Sequence, residues 1–446
     1  MNEASTGAAR SVDRRTALRW SFTGAAAAGL TMVGLGTATA EAGGVDDTTG
    51  RGGPGHGGPG HGSPGREEKL RPGSPRSVGL DPAVIAAALA KVRTYEVPRP
   101  DGTLLLPGAV GLYAHHARIV GTDVSGFARL YGDATQQLPP RERIPMRRST
   151  IFDLASLSKL FTSIVAVQQI EAGHVDLSAT VASYLPAFAA NGKQDVTIEM
   201  LLTHTSGFTS WLPLYSKYPD VAARFQAVLD APLANPAGST YLYSDLNMIS
   251  IQLVLQHLTG RTLDVLVHDG ITRPLGMRDT MYNPPARLRH RIAATEFQAV
   301  PARGLVWGEV HDENAWSLDG VAGHAGVFST ADDLAVLAQT LINGGRYGQA
   351  RILDEAGVAL LATDRNQEFP GHAHGLGFEI DQPAYMGRLS GPNTVGHTGY
   401  TGTTITIDLA QRSFAIFLSN RVHPSRNNGS IQAVRAEFAS GLADAR

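Results

Sequence analysis

Between Ser156 and Ala172 the apolar positions Leu157, Leu160, Phe161, Ile164 and Val165 recur at i, i+3, i+4, i+7 and i+8. That is the stripe of a helix with one buried face. Further helices are expected over Pro82–Arg93, Asp245–Leu258 and Ala331–Asn343, and strands over Val110–His115, Thr403–Asp408 and Phe414–Ser419. Strands thus fall at both ends of the globular stretch, with helices and loops between. A sheet assembled from both ends around a helical insertion is the simplest arrangement, an α+β fold.

Two segments ahead of that stretch have a different texture. Arg14-Arg15 precedes an uncharged run from Trp20 to Ala40, which ends in the small-residue site Ala38-Thr39-Ala40. A positive pair, a weakly hydrophobic run and such a site predict a twin-arginine export signal over residues 1–40, cleaved near Ala40. The run is rich in Ala, Gly and Thr and less hydrophobic than a good membrane span. Residues 41–76 hold 12 Gly and 5 Pro in 36 positions, including the near-repeat Gly53-Pro54-Gly55-His56-Gly57 and Gly58-Pro59-Gly60-His61-Gly62. Such a segment buries too little apolar surface to offset its ordering entropy, so a disordered linker is expected there. One catalytic domain then occupies 77–446, with no second linker and no internal repeat.

Composition narrows the function. Lys and Arg total 38 against 40 Asp and Glu in 446 residues, a formal net charge of −2, and no basic stripe marks a nucleic-acid binder. There are no cysteines, which excludes disulfides, thiolate metal sites and a cysteine nucleophile. A protein exported already folded has no need of them.

The helix stripe also carries chemistry. Ser156 and Lys159 are three apart and share a face, and Asp153 is placed to cap the helix, which would set Ser156 in its first turn. A serine hydroxyl is a weak nucleophile until a neighbour takes its proton. A desolvated lysine can help, and free N–H groups at a helix start can bind a developing oxyanion. By itself Ser-x-x-Lys recurs by chance, so its companions decide.

Those companions follow in order: Leu-Leu-Thr-His-Thr-Ser-Gly at 201–207, Tyr243-Ser244-Asp245, and His397-Thr398-Gly399. With Ser156-Leu157-Ser158-Lys159 they make the chain resemble the serine β-lactamase-related group: class C β-lactamases, D-alanyl-D-alanine carboxypeptidases and penicillin-fold esterases. The resemblance implies a five-stranded antiparallel sheet flanked by helices, a mostly helical second lobe, and a site between them. It implies an acyl-enzyme on Ser156, with Lys159 and Tyr243 sharing the proton traffic. The oxyanion would lie between the N–H groups of Ser156 and Tyr400, and Asp245, His397, Thr398, Gly399 and Tyr400 would line the substrate site. No metal and no cofactor is called for.

The expected activity is that of an exported serine acyl hydrolase or acyl transferase acting on esters, D-amino-acid peptides or β-lactams. Its partners would be a small-molecule or cell-wall peptide substrate and the twin-arginine export machinery. The rival is a non-catalytic protein that captures cell-wall peptides or penicillin.

Asp245 stands where the group commonly has asparagine. A carboxylate there favours the charged form of Lys159 and points to Tyr243 as the base. His397 stands where many relatives have lysine. With an ordinary pKa of about 6.5 it is expected to be neutral at pH 7.5 and to charge toward pH 6, favouring carboxylate-bearing substrates only then. His204 reads as a loop-holding residue, and His311, Asp312, Glu313 and His324 as loop structure whose spacing fits no zinc motif.

Replacing Arg14 and Arg15 together with lysine is expected to block secretion and leave a soluble precursor inside the cell. Export at the normal level would show that another pathway reads the segment.

Overall fold

A computed structural model of the chain describes residues 68–100 and 102–446. The expected signal segment 1–40 and linker residues 41–67 lie outside the described residues.

Five long strands form the body of the sheet: β1 (Gly108–His115), β2 (Arg118–Arg129), β3 (Thr394–Thr398), β4 (Thr403–Asp408) and β5 (Ser413–Ser419). Their order is β2-β1-β5-β4-β3, every neighbour antiparallel. Both ends of the domain contribute, and the predicted strands appear within two residues of their expected bounds. Among the described residues the sheet has eight strands rather than five. Two-residue strands at Arg71–Pro72 and Glu379–Ile380 extend its edges, and Ile144–Pro145 pairs with β2. Two residues carry no hydrophobic period, so such edges cannot be read from a pattern.

Alternation along the strands assigns the two faces. In β5, Phe414, Ile416 and Leu418 join the larger core, whereas Ala415 and Phe417 join the smaller one. The smaller core is closed by α1 (Pro82–Lys91), through Ile85 and Leu89, and by a C-terminal helix through Val434, Phe438 and Leu442. Against the larger core pack α2 (Ser158–Glu171), α3 (Asp245–Thr259) and α4 (Ala331–Ile342); the C-terminal helix, Gln432–Asp444, is α5. Leu160, Phe161 and Ile164 of α2 are each no more than 1% exposed, as their spacing requires.

The start of the domain needs correction. Residues 68–76 were expected in the disordered linker, yet they are ordered on the sheet. Arg71–Pro72 runs parallel to Arg118–Ile119, and Gly73 N donates to Ile119 O at 3.0 Å. Asn343 Nδ2 donates to the carbonyl of Glu68 at 2.7 Å, and Pro75–Val78 forms a 3₁₀ turn. Backbone groups make this attachment, so a composition lacking apolar side chains does not forbid it.

A chain starting at Ser77 loses these hydrogen bonds. It is expected to be destabilised by ~1–3 kcal/mol relative to one starting at Glu68, seen as a lower melting temperature in calorimetry. Equal melting temperatures would show that the edge strand contributes nothing.

Candidate active site

Ser156 occupies a constrained turn. The short strand Phe152–Asp153, paired with Phe328–Ser329, leads through Leu154 into Ala155, whose φ is +48°. A 3₁₀ turn, Ala155–Leu157, then enters α2. Ser156 therefore sits one turn ahead of the α-helix proper, and the expected capping role of Asp153 takes another form. Asp153 Oδ1 accepts from Ala155 N at 2.8 Å, and Oδ2 accepts from His311 N at 2.6 Å. One buried carboxylate thus holds the nucleophile turn to the loop opposite, and helps stabilise the left-handed conformation of Ala155.

Behind Ser156 lies Lys159, its side chain fully buried. Its ammonium donates to Ser156 Oγ at 3.1 Å and to the carbonyl of His324 at 3.1 Å, and it pairs with Asp245 Oδ1 at 2.8 Å. All three donors are used. Burial alone would lower the pKa of this lysine, but Asp245 and Tyr243 outweigh it and hold the ammonium well above its ordinary value. The same ammonium lies 4.8 Å from the centre of the Tyr243 ring.

The Tyr243 hydroxyl faces Ser156 and Lys159. Its desolvated surroundings push the phenol up to about 12; Lys159 pulls it down and Asp245 pushes it up. Asp245 opens α3, where Ser244 caps the helix by accepting from Leu246 N at 3.2 Å. That cap turns the chain so that Tyr243 and Asp245 flank Lys159.

The far wall is the end of β3. Thr401 Oγ1 donates to Asp153 O at 2.7 Å, and Thr403 Oγ1 donates to Leu154 O at 2.9 Å. These bonds draw the 399–403 turn against the nucleophile turn. A Cβ on Gly399 would overlap Leu154 O and Thr403 Oγ1, so only glycine permits the approach. Ser156, Tyr243, His397, Thr398, Gly399 and Tyr400 together line one cleft of about 540 Å³. Every predicted site residue is brought to this place, with Lys159 and Asp245 forming the layer beneath.

His397 differs from its expected behaviour. It is 2% exposed, with Nδ1 donating to Thr398 O at 2.8 Å, and burial with the nearby Lys159 charge lowers its pKa to about 3. It does not charge between pH 6 and 8, and the switch expected near pH 6 is absent. Asp245, paired with Lys159, is likewise no free negative charge in the cleft.

The surrounding loops are braced by pairs of acidic and basic side chains. His311 Nε2 lies 2.9 Å from Glu296, and His324 Nε2 lies 2.9 Å from Asp312, whose carboxyl is held well below its usual range because His324 outweighs the effect of burial. Arg426 reaches both Glu296 and Glu313. His204 holds its loop as expected, its Nδ1 accepting from Ser244 N at 3.2 Å and from Asn247 Nδ2 at 2.9 Å. Asn247 is buried for that purpose.

The cleft lining also includes Tyr241, Glu379, Arg421, Arg426 and Arg435, none of which the motifs name. Glu379 lies on a two-residue strand and Arg435 on α5, and neither belongs to a local motif.

A sequence model of the Beta-lactamase family matches residues 103–439. Proteins from Salmonella paratyphi B and Salmonella typhimurium named "Putative D-alanyl-D-alanine carboxypeptidase" are 33% identical over 352 residues, covering 71% of this chain and 79% of theirs. Among solved structures, a penicillin-binding protein homologue from Caulobacter crescentus superposes with a TM-score of 0.63 at 20% identity, covering 82% of this chain and 99% of that one. EstCE1, titled a hydrolase with promiscuous acyltransferase activity, gives the same four figures. A class C β-lactamase gives 0.63 at 17% identity, with 81% and 97% covered. The fold is that of this group, and the chain belongs to the Beta-lactamase family, a family of serine hydrolases.

Proposed function

We propose that this protein is an exported serine acyl hydrolase that works through an acyl-enzyme on Ser156, with acyl-D-amino-acid peptides as its first substrate class. The observation that carries the reading is the 3.1 Å contact between Lys159 Nζ and Ser156 Oγ within a cleft that also holds Tyr243. The 33% identical relatives, by their names, favour the peptide class over esters and β-lactams.

In this mechanism Lys159 remains an ammonium, since its three N–H groups are engaged and Asp245 balances its charge. It aims Ser156 Oγ and stabilises the phenolate form of Tyr243. The phenolate takes the Ser156 proton as Oγ attacks the substrate carbonyl. The resulting phenol returns that proton to the leaving group as the acyl bond breaks. Water, deprotonated by Tyr243, then releases the acyl group, and an amine in place of water gives transfer. The tetrahedral oxyanion is received by the N–H groups of Ser156 and Tyr400.

A phenol near 12 is mostly protonated at neutral pH. The rate kcat/KM is therefore expected to climb across pH 7–10 without a plateau. Asp245→Asn removes a negative charge that disfavours both the phenolate and the neutral lysine, so both pKa values fall. The rising limb should then move down by about one pH unit, the scale of a neighbouring-charge effect. An unmoved profile would show that Asp245 does not hold these groups protonated.

Intact-mass measurement after mixing with a D-Ala-D-Ala peptide, a p-nitrophenyl ester and penicillin tests the function directly. A transient adduct on Ser156 and turnover of the peptide are expected. Ser156→Ala should abolish the adduct and lower turnover by about 10³-fold or more. Retained activity in that variant would overturn the serine mechanism.

A further inference from the structure

Two arginines absent from every recognised motif converge on the turn that carries the Tyr400 N–H. Arg435, 8% exposed on α5, donates from Nη2 to the carbonyl of Gly399 at 2.6 Å and to that of Thr403 at 3.3 Å. Its Nη1 donates to Gln432 Oε1 at 2.7 Å, which fixes the guanidinium. Arg421 donates from Nε to the carbonyl of Tyr400 at 2.9 Å, and from Nη1 to the carbonyls of Gly429 and Arg426. Its guanidinium also lies 4.6 Å from the centre of the Tyr400 ring. Among the described residues, neither guanidinium forms an ion pair with a carboxylate, although Glu379 acts on Arg435 through space. Both line the cleft that holds Ser156.

We propose that Arg435 is a positioning residue for the oxyanion hole, acting through the Gly399–Tyr400 peptide unit, with Arg421 holding the next one. The carbonyl of Gly399 and the N–H of Tyr400 are opposite ends of one planar amide. A guanidinium gripping the carbonyl sets the plane, and so the direction of the N–H. It also draws electron density toward the oxygen, which makes that N–H a stronger donor. The N–H of Gly402 donates to the same carbonyl at 3.0 Å, so the amide is held from two sides. No carboxylate pairs with either guanidinium, and burial raises the pKa of Glu379, which lines the same cleft and acts on Arg435 through space, so the two positive charges favour negative charge on the cleft side, where the tetrahedral intermediate forms. Burial and the charge of Arg421 lower the Arg435 pKa only to about 10, so it is cationic throughout the neutral range.

This role rests on the acyl-enzyme reading, and the experiment separates the two. The full chain and its Arg435→Met, Arg435→Lys and Arg421→Gln variants are compared on a p-nitrophenyl ester, with a boronic acid as a tetrahedral anionic adduct of Ser156, and with a fluorophosphonate label. Arg435→Met is expected to lose ~10–100-fold in kcat, somewhat less than deletion of a whole oxyanion donor, with KM within about threefold. Boronate affinity should fall by the same factor, and Arg435→Lys should recover part of both. Should Arg435→Met fail to fold, Arg421→Gln decides, with a smaller loss in kcat and boronate affinity at unchanged KM. Labelling of the parent on Ser156 together with undiminished kcat and boronate affinity in the folded variants would overturn the positioning role alone. A rise in KM with boronate affinity unchanged would also overturn it, in favour of direct substrate contact. No label on Ser156 in the parent would overturn the acyl-enzyme reading itself.

Discussion

A buried ammonium organises this molecule. Removing a charge from water costs several kcal/mol unless well-placed partners replace its hydration. Lys159 meets that demand with three acceptors drawn from three parts of the chain: Ser156 ahead of α2, Asp245 at the start of α3, and the carbonyl of His324 in the loop before Val327. Satisfying one side chain therefore brings the nucleophile, the acid–base tyrosine and a long loop to one point. The surrounding bonds serve the same end. Thr162 Oγ1 donates to Gly323 O at 2.8 Å, and the N–H of Val327 donates to Ser158 Oγ at 3.0 Å, tying that loop to α2 on both sides of His324.

The second constraint is the meeting of two turns. Asp153 and Leu154 offer carbonyls to Thr401 and Thr403, and Gly399 leaves room for the contact. Sheet edge and nucleophile turn are thus held by backbone oxygens rather than by side-chain packing, which gives a more exact separation than apolar contact would. Arg435 reaches the same turn from α5, whose apolar face is needed anyway to close the smaller core with Phe438 and Leu442. The helix that covers the sheet thereby also delivers charge to the site.

Electrostatically the cleft is not the one its motifs imply. Asp245 is cancelled by Lys159, His397 stays neutral, and Arg421 and Arg435 supply positive charge that the motifs do not mention. Reading charge from residue types at motif positions fails because burial and pairing set the protonation state, and both are tertiary quantities.

From the sequence by itself come the α+β class, the helix that carries Lys159 behind Ser156, the central strands β1, β4 and β5, and the ordered set of motifs. Each depends on local spacing: apolar positions with a period of 3.6 or 2, and short runs whose chemistry needs adjacent residues. Tertiary structure alone decided that residues 68–76 join the sheet, that Asp153 binds the turn rather than capping a helix, that His397 is buried and neutral, and that Glu379, Arg426 and Arg435 reach the cleft. Those outcomes depend on which distant backbone groups meet and on how much water each side chain loses. Neither quantity leaves a period or a motif in the chain, so neither could be read before the fold brought the segments together.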